Sequence, residues 1–248
     1  MTGQNKGLLI TGTDQGVGCT SVTAALARIV ARAGFETGVM LPVETNVKVP
    51  EQLGTAGRLL QWAAQSGLED DQICPYRFQA QLEPATAASK KNVRIDFNSL
   101  VENAQQMIST HDFTLIDGSG GIMLPLAGGL LMSDFAAMLK LPLVVVCRPG
   151  RGTINHTLLT LLAARYMEIP VAGYLINDMP EDKTPSEETA AHSLAVMTGD
   201  ELLGILDSVS GTDQRKVELL AEQIMALRTY SLLRPHLPER LPAEPKIS

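Results

Sequence analysis

The chain is short of aromatic residues, of positive charge and of cysteine, and each shortage removes a class of function. Only 4% of its 248 residues are Phe, Trp or Tyr, which leaves little to stack on exposed bases. Lys and Arg number 20 against 27 Asp and Glu, for a net charge of −7. The basic face of a nucleic-acid binder or of a polybasic membrane-surface protein is therefore not expected. Three cysteines, Cys19, Cys74 and Cys147, stand far apart without a C-x-x-C pair, so neither a disulfide framework nor a zinc site is indicated. No apolar run approaches the roughly 20 residues needed to cross a bilayer. No basic start, apolar stretch and small-residue cleavage site opens the chain either. A cytoplasmic protein in a reducing compartment is the expectation.

What is present is core-forming sequence. Hydrophobic residues make up 45% of the chain, enough for one sizeable core. Short runs rich in Val, Ile and Leu recur at Gly7 to Thr11, Glu36 to Leu41, Phe113 to Asp117, Leu143 to Cys147 and Val171 to Ile176, and read as buried parallel strands. Helical stretches lie between them at Thr20 to Ala33, Leu53 to Gln65, Phe97 to Ser109, Thr153 to Met167 and Glu187 to Met197, with Thr153 a candidate N-cap. A last strand is expected at Glu201 to Asp207 and a last helix at Asp213 to Arg228. The alternation predicts a single α/β domain over residues 1–233, with helices on both faces of one parallel sheet. The proline-containing stretch 234–248 reads as a loose tail.

Four motifs carry chemistry. The first is Thr11 to Thr20, TGTDQGVGCT, between a strand and a helix. A phosphate-binding loop of the G-x-x-x-x-G-K-[ST] kind uses backbone N–H groups, a lysine and a hydroxyl. Here Gly16, Gly18 and Thr20 are in place and Cys19 stands where the lysine belongs. The plainer alternative is a tight strand-to-helix turn. The second is TLIDGSGG, Thr114 to Gly121, in which Asp117 ends an apolar strand at the usual position of a Mg²⁺-directing carboxylate; an Asp that merely turns the chain is the alternative. Ser119 lies in no G-x-S-x-G elbow, so a serine-hydrolase mechanism has no support. The third is GRGTINH, Gly150 to His156, where a helix start and Arg151 can meet an anion. The fourth is Asn177 with Asp178 at a strand end, an amide for a purine edge or simply a turn.

Taken in order, TGTDQGVGCT, MLPVET at Met40 to Thr45, ICPYRF at Ile73 to Phe78, IDGSGG, LPLVVV through GRGTINH, and VAGYLIND at Val171 to Asp178 resemble dethiobiotin synthetases, across most of Leu8 to Ile205. The resemblance implies a P-loop NTPase-like α/β fold and a cytoplasmic homodimer. It further implies an ATP- and Mg²⁺-dependent ligase that closes the ureido ring of dethiobiotin on 7,8-diaminononanoate with CO₂. By the same resemblance Gly16, Val17, Gly18, Cys19, Thr20, Ser21, Asp117, Gly118, Ser119, Gly120 and Asn177 fall at nucleotide-binding positions. Thr45 and Gly152, Thr153, Ile154 and Asn155 fall at substrate-binding positions, the last four across the dimer interface. Thr20 and Asp117 fall at metal positions.

The pattern departs from the family where phosphoryl transfer is done. The two lysine positions are Cys19 and Leu41, and a metal-binding Asp position falls near Ala56. The reading is a family member with weak or lost ligase activity that acts as a ligand-binding or regulatory dimer, for which ATP and Mg²⁺ are doubtful ligands. Its rival is an active synthetase whose lost cations are replaced by Lys48, Arg148 or Arg151. Cys19 is either a reactive thiol at a helix start or a small buried residue filling a turn.

Overall fold

Neighbouring residues of the strand runs point to opposite sides of a sheet, and both sides are covered. The computed structural model describes residues 6–241. In chain order its elements are β1 (Gly7–Gly12), α1 (Cys19–Arg32), β2 (Thr37–Met40), β3 (Val43–Glu44), α2 (Thr55–Ala64), α3 (Asp70–Ile73), β4 (Tyr76–Arg77), α4 (Pro84–Lys90), α5 (Phe97–Thr110) and β5 (Phe113–Gly118). There follow β6 (Pro125–Ala127), β7 (Leu130–Leu131), α6 (Met132–Leu139), β8 (Leu143–Cys147), α7 (Thr153–Tyr166), β9 (Val171–Met179), α8 (Pro185–Met197), β10 (Leu202–Asp207), α9 (Asp213–Ala226) and α10 (Tyr230–Leu233).

Six strands form one sheet in the order β10-β9-β8-β1-β5-β2, and every adjacent pair is parallel. Leu8 and Ile10 of β1 join a cluster with α1, α2 and α9, while Leu9 joins a second cluster with α5, α6, α7 and α8. Burial on both faces is why these strands are apolar at successive positions. The expected single α/β domain with helices on both faces is what forms.

Most expected elements lie within two residues of their observed ends, because their periodic apolar positions are the buried ones. Local capping sharpens several. Asp96 accepts from the Ser99 amide at 3.1 Å to start α5, and Thr184 with Glu187 forms a reciprocal cap before Pro185. Short or weakly periodic pieces escaped the sequence reading: α3, α4, α6 and the small pairs β3 with β4 and β6 with β7.

Two expectations need correction. Thr153 is not the N-cap of α7. That place belongs to Gly152 at φ 89°, and the buried Thr153 hydroxyl donates to the Arg148 carbonyl. Nor does packing stop at Arg234. Residues 234–236 form a 3₁₀ turn, and the Arg234 guanidinium donates to the Leu241 carbonyl at 2.7 Å. Leu237 and Leu241 are buried in the cluster on the α1 side, because each supplies apolar surface that a loose tail would leave in water. The rest of the expected tail, 242–248, lies outside the described residues.

A buried leucine stabilises far more than one on a loose tail. Leu237→Ala is expected to cost about 2–4 kcal/mol in urea unfolding, the range for emptied core sites; a change below about 0.5 kcal/mol would mark the segment as unpacked.

Candidate functional site

β1 is central in the sheet, and its carboxyl end runs through residues 13–18 into α1. Gly18 holds the N-cap of α1 at φ 97°, a left-handed conformation that a side chain disfavours. A Cβ at Gly18 would also collide with the Asn177 amide nitrogen. That amide donates to the Val17 carbonyl at 2.9 Å, so the tip of β9 is fastened to the loop from below.

The loop is fastened to β5 as well. The Thr20 hydroxyl donates to Asp117 at 2.6 Å, and the Ser119 hydroxyl donates to the other carboxylate oxygen. Asp117 is fully buried, and burial pushes its carboxyl up to about 6 despite the two hydroxyl hydrogen bonds; the charge of Glu44 adds to the rise. Thr20 and Asp117 thus present two hard oxygen donors side by side. Such oxygens are the donor type that a Mg²⁺ would take. Among the described residues no group of three or more His, Cys, Asp or Glu is placed to hold a metal ion by itself.

Above this network lies a cavity of about 550 Å³, lined by Gly16, Gly18, Cys19, Thr20, Ser21, Leu41, Thr45, Ala56, Ser119 and Gly120 among others. These expected site residues therefore meet at one place. Asp117 and Gly118 are buried at the tip of β5, Val17 is buried within the loop, and Asn177 lies against it. Gly152, Thr153, Ile154 and Asn155 do not line the cavity; they sit at the start of α7 with Asn155 exposed.

Among the described residues the lining carries no lysine, arginine or histidine. Cys19 and Leu41 are 5% and 4% exposed and belong to one apolar cluster with Val17, Leu53 and Leu59. The reactive-thiol reading of Cys19 does not hold. Burial first, and then the charge of Asp117, push its thiol well above the ordinary range, so the thiolate is disfavoured. Of the three candidate replacements, Lys48 and Arg151 are exposed and outside the lining. Arg148 reaches the loop from the same chain, donating to the Gln15 carbonyl at 3.0 Å with Asp14 at 3.6 Å.

Glu44 is the residue that sequence reasoning missed. The pairing of β3 with β4 sets it at the cavity wall, 8% exposed. Its carboxylate accepts from the amides of Gly54 at 3.1 Å, Ala56 at 2.9 Å and Gly57 at 3.3 Å, the open N–H groups at the start of α2. A helix N-terminus favours such an anion. Position 54 is glycine because a Cβ there would run into the carboxylate. No local sequence signal marks it, since Glu44 is followed by the polar Thr45 and Asn46.

The central parallel sheet, the glycine loop leading into α1 and the acid at the neighbouring strand tip define a protein of the P-loop nucleotide-binding class. A family model described as AAA domain matches residues 6–216. The ATP-dependent dethiobiotin synthetase BioD of Anaeromyxobacter dehalogenans (strain 2CP-C) is 37% identical over 202 residues, 81% of this chain and 89% of its own. The BioD of Bacillus thuringiensis (strain Al Hakam) is 30% identical over 233 residues, 92% and 95% of the two chains. The chain belongs to the dethiobiotin synthetase family. Solved structures agree on the fold alone: the septum site-determining protein MinD with Mg-ADP from Pyrococcus horikoshii OT3 has a TM-score of 0.54 at 16% identity, covering 93% of this chain and 94% of that one. A ParA family ATPase from Chlorobium tepidum TLS gives 0.53 at 12% identity, covering 92% of this chain and 94% of that one.

The Asp117 environment has a measurable pH signature. Its folded carboxyl titrates near 6, above the roughly 3.9 of an unfolded Asp, so the folded state holds the proton more tightly. Stability from this group is full below about pH 4 and is lost as pH rises through 6, a penalty of about 3 kcal/mol at pH 8. Asp117→Asn keeps a partner for both hydroxyls and removes the buried charge. It is expected to stabilise the chain by about 1–3 kcal/mol at pH 8 and to change little at pH 4, as read by urea unfolding at the two pH values.

Proposed function

We propose that this protein keeps the dethiobiotin synthetase fold and pocket but has little or no ligase activity, acting as a ligand-binding or regulatory homodimer. The observation that carries the reading is the replacement of both lysine positions by buried members of one apolar cluster, in a cavity whose described lining has no cationic side chain. Phosphoryl transfer relies on positioning and on stabilising negative charge spread over the transferring group. Two lost cations and a lost metal carboxylate, at roughly 1.5–3 kcal/mol for each charge-assisted contact, remove about 4–9 kcal/mol if the effects add. That is about three to six decades in rate.

The nucleotide positions that persist are those that shape backbone: the glycines of the loop, the Thr20 and Asp117 pair, and Asn177. When bound, ATP with Mg²⁺ supplies the phosphoryl group in the family reaction; here Thr20 and Asp117 would hold the ion. An exposed apolar stripe on α7, Leu159, Leu162 and Tyr166, supports a dimer, since contiguous apolar surface in water marks an association face. A dimer built on α7 brings the Gly152 to Asn155 segment to a partner's pocket, which accounts for its absence from the cavity of its own chain.

A second reading, an active synthetase, is favoured by one contact: Arg148 donates to the Gln15 carbonyl of the loop. Incubation with 7,8-diaminononanoate, bicarbonate and Mg-ATP, with dethiobiotin read by mass spectrometry against an Asp117→Ala control, separates the two. The expected result is no product above the control, and product from the double variant Cys19→Lys with Leu41→Lys. Product from the natural chain that disappears in both Asp117→Ala and Arg148→Ala would establish the active synthetase instead.

A further inference from the structure

Two side chains from distant strands hold alternate carbonyls of the loop between β1 and α1. The Asn177 amide donates to the Val17 carbonyl at 2.9 Å, and the Arg148 guanidinium donates to the Gln15 carbonyl at 3.0 Å. Across a planar trans peptide, the C=O of one residue and the N–H of the next point in opposite directions. Holding the carbonyls of residues 15 and 17 therefore turns the N–H groups of Gly16 and Gly18 away from the two donors. Both glycines line the cavity of about 550 Å³, whereas Asn177 and Arg148 do not. Gly16 and Gly18 have φ of 71° and 97°, the left-handed values that let nearby N–H groups gather on one side of a loop. Among the described residues neither amide has an acceptor.

We propose that Arg148 and Asn177 are positioning residues, each fixing the direction of one peptide plane so that the Gly16 and Gly18 amides face the cavity as donors to an anionic oxygen. The proposal goes beyond the reading above and applies to an inert and to an active protein alike, so the dethiobiotin assay does not bear on it. The two holders differ in kind. Asn177 is 7% exposed near the end of β9, and a short buried amide keeps its aim. Arg148 follows β8, and its carbonyl accepts from the Thr153 hydroxyl in the first turn of α7. Its side chain is 53% exposed and is steered by the Asp14 carboxylate at 3.6 Å, which also accepts from the Gln15 amide at 2.7 Å. The Gly18 plane is thus set by buried structure and the Gly16 plane by an exposed ion pair that salt weakens.

Amide-resolved NMR of the full chain, titrated with inorganic phosphate, reads the two planes separately. In the natural chain both the Gly16 and the Gly18 resonances are expected to move. Arg148→Ala is expected to abolish the Gly16 response and keep that of Gly18, Asn177→Ala to do the reverse, and each to weaken phosphate about three- to tenfold. Arg148→Lys keeps a donor and is expected to restore the Gly16 response. Raising salt should reduce the response of Gly16 more than that of Gly18. A cation acting only by attraction would lower both responses together, as would general loosening of the loop. Equal losses at the two glycines in each variant, a loss at the wrong glycine, or no response of either amide in the natural chain overturns the proposal. Because the Arg148 side chain is half exposed, Arg148→Ala leaves the fold intact and decides the matter even where Asn177→Ala does not fold.

Discussion

The hydrogen bond from the Thr20 hydroxyl to the buried Asp117 carboxylate joins the first turn of α1 to the tip of β5, and the rest of the site is arranged around it. With the amide of Asn177 holding Val17, the loop between β1 and α1 is tied to strands on both sides of β1. The contacts that hold the loop in this way do not involve the side chain at position 19. The glycines and the two ties set the loop's geometry without a lysine.

Residues 19 and 41 pack into one cluster. Cys19 and Leu41 come from different elements, the start of α1 and the residue after β2, and both extend the cluster that α2 contributes with Leu53 and Leu59. Burying a lysine among them would carry a desolvation cost, so apolar residues at both positions are mutually consistent. Glu44 helps to position the same cluster. Its carboxylate closes the N-terminus of α2, which fixes the helix that brings Leu59 over the cavity.

The six main strands and their helices were legible in the sequence because both faces of the sheet are buried, which makes apolar runs long and their limits sharp. The loop glycines, Thr20, Asp117 and Asn177 were legible from strand, loop and helix context. What stayed hidden depends on contacts between distant segments. Glu44 binds amides ten to thirteen residues away, and an isolated acid gives no sign of that. Whether Cys19 is reactive turned on its burial beside Asp117, which helix position alone does not convey. α4 and α6 are seven and eight residues long, too short to establish a period. The packing of Leu237 and Leu241 lay behind prolines that suggest loose chain.

That last packing bears on how the molecule is made. Leu237 and Leu241 complete a cluster whose other members begin with Leu8 of β1, so segments far apart in the chain share one core. During synthesis, at roughly 5–20 residues per second, the α1 side of the sheet stays open until residue 241 has cleared the ribosome. The α5 side can close earlier, since its cluster reaches no further than Leu194 among its fully buried members. The two faces of one sheet thus mature in sequence, and the nucleotide-loop side is the later of the two.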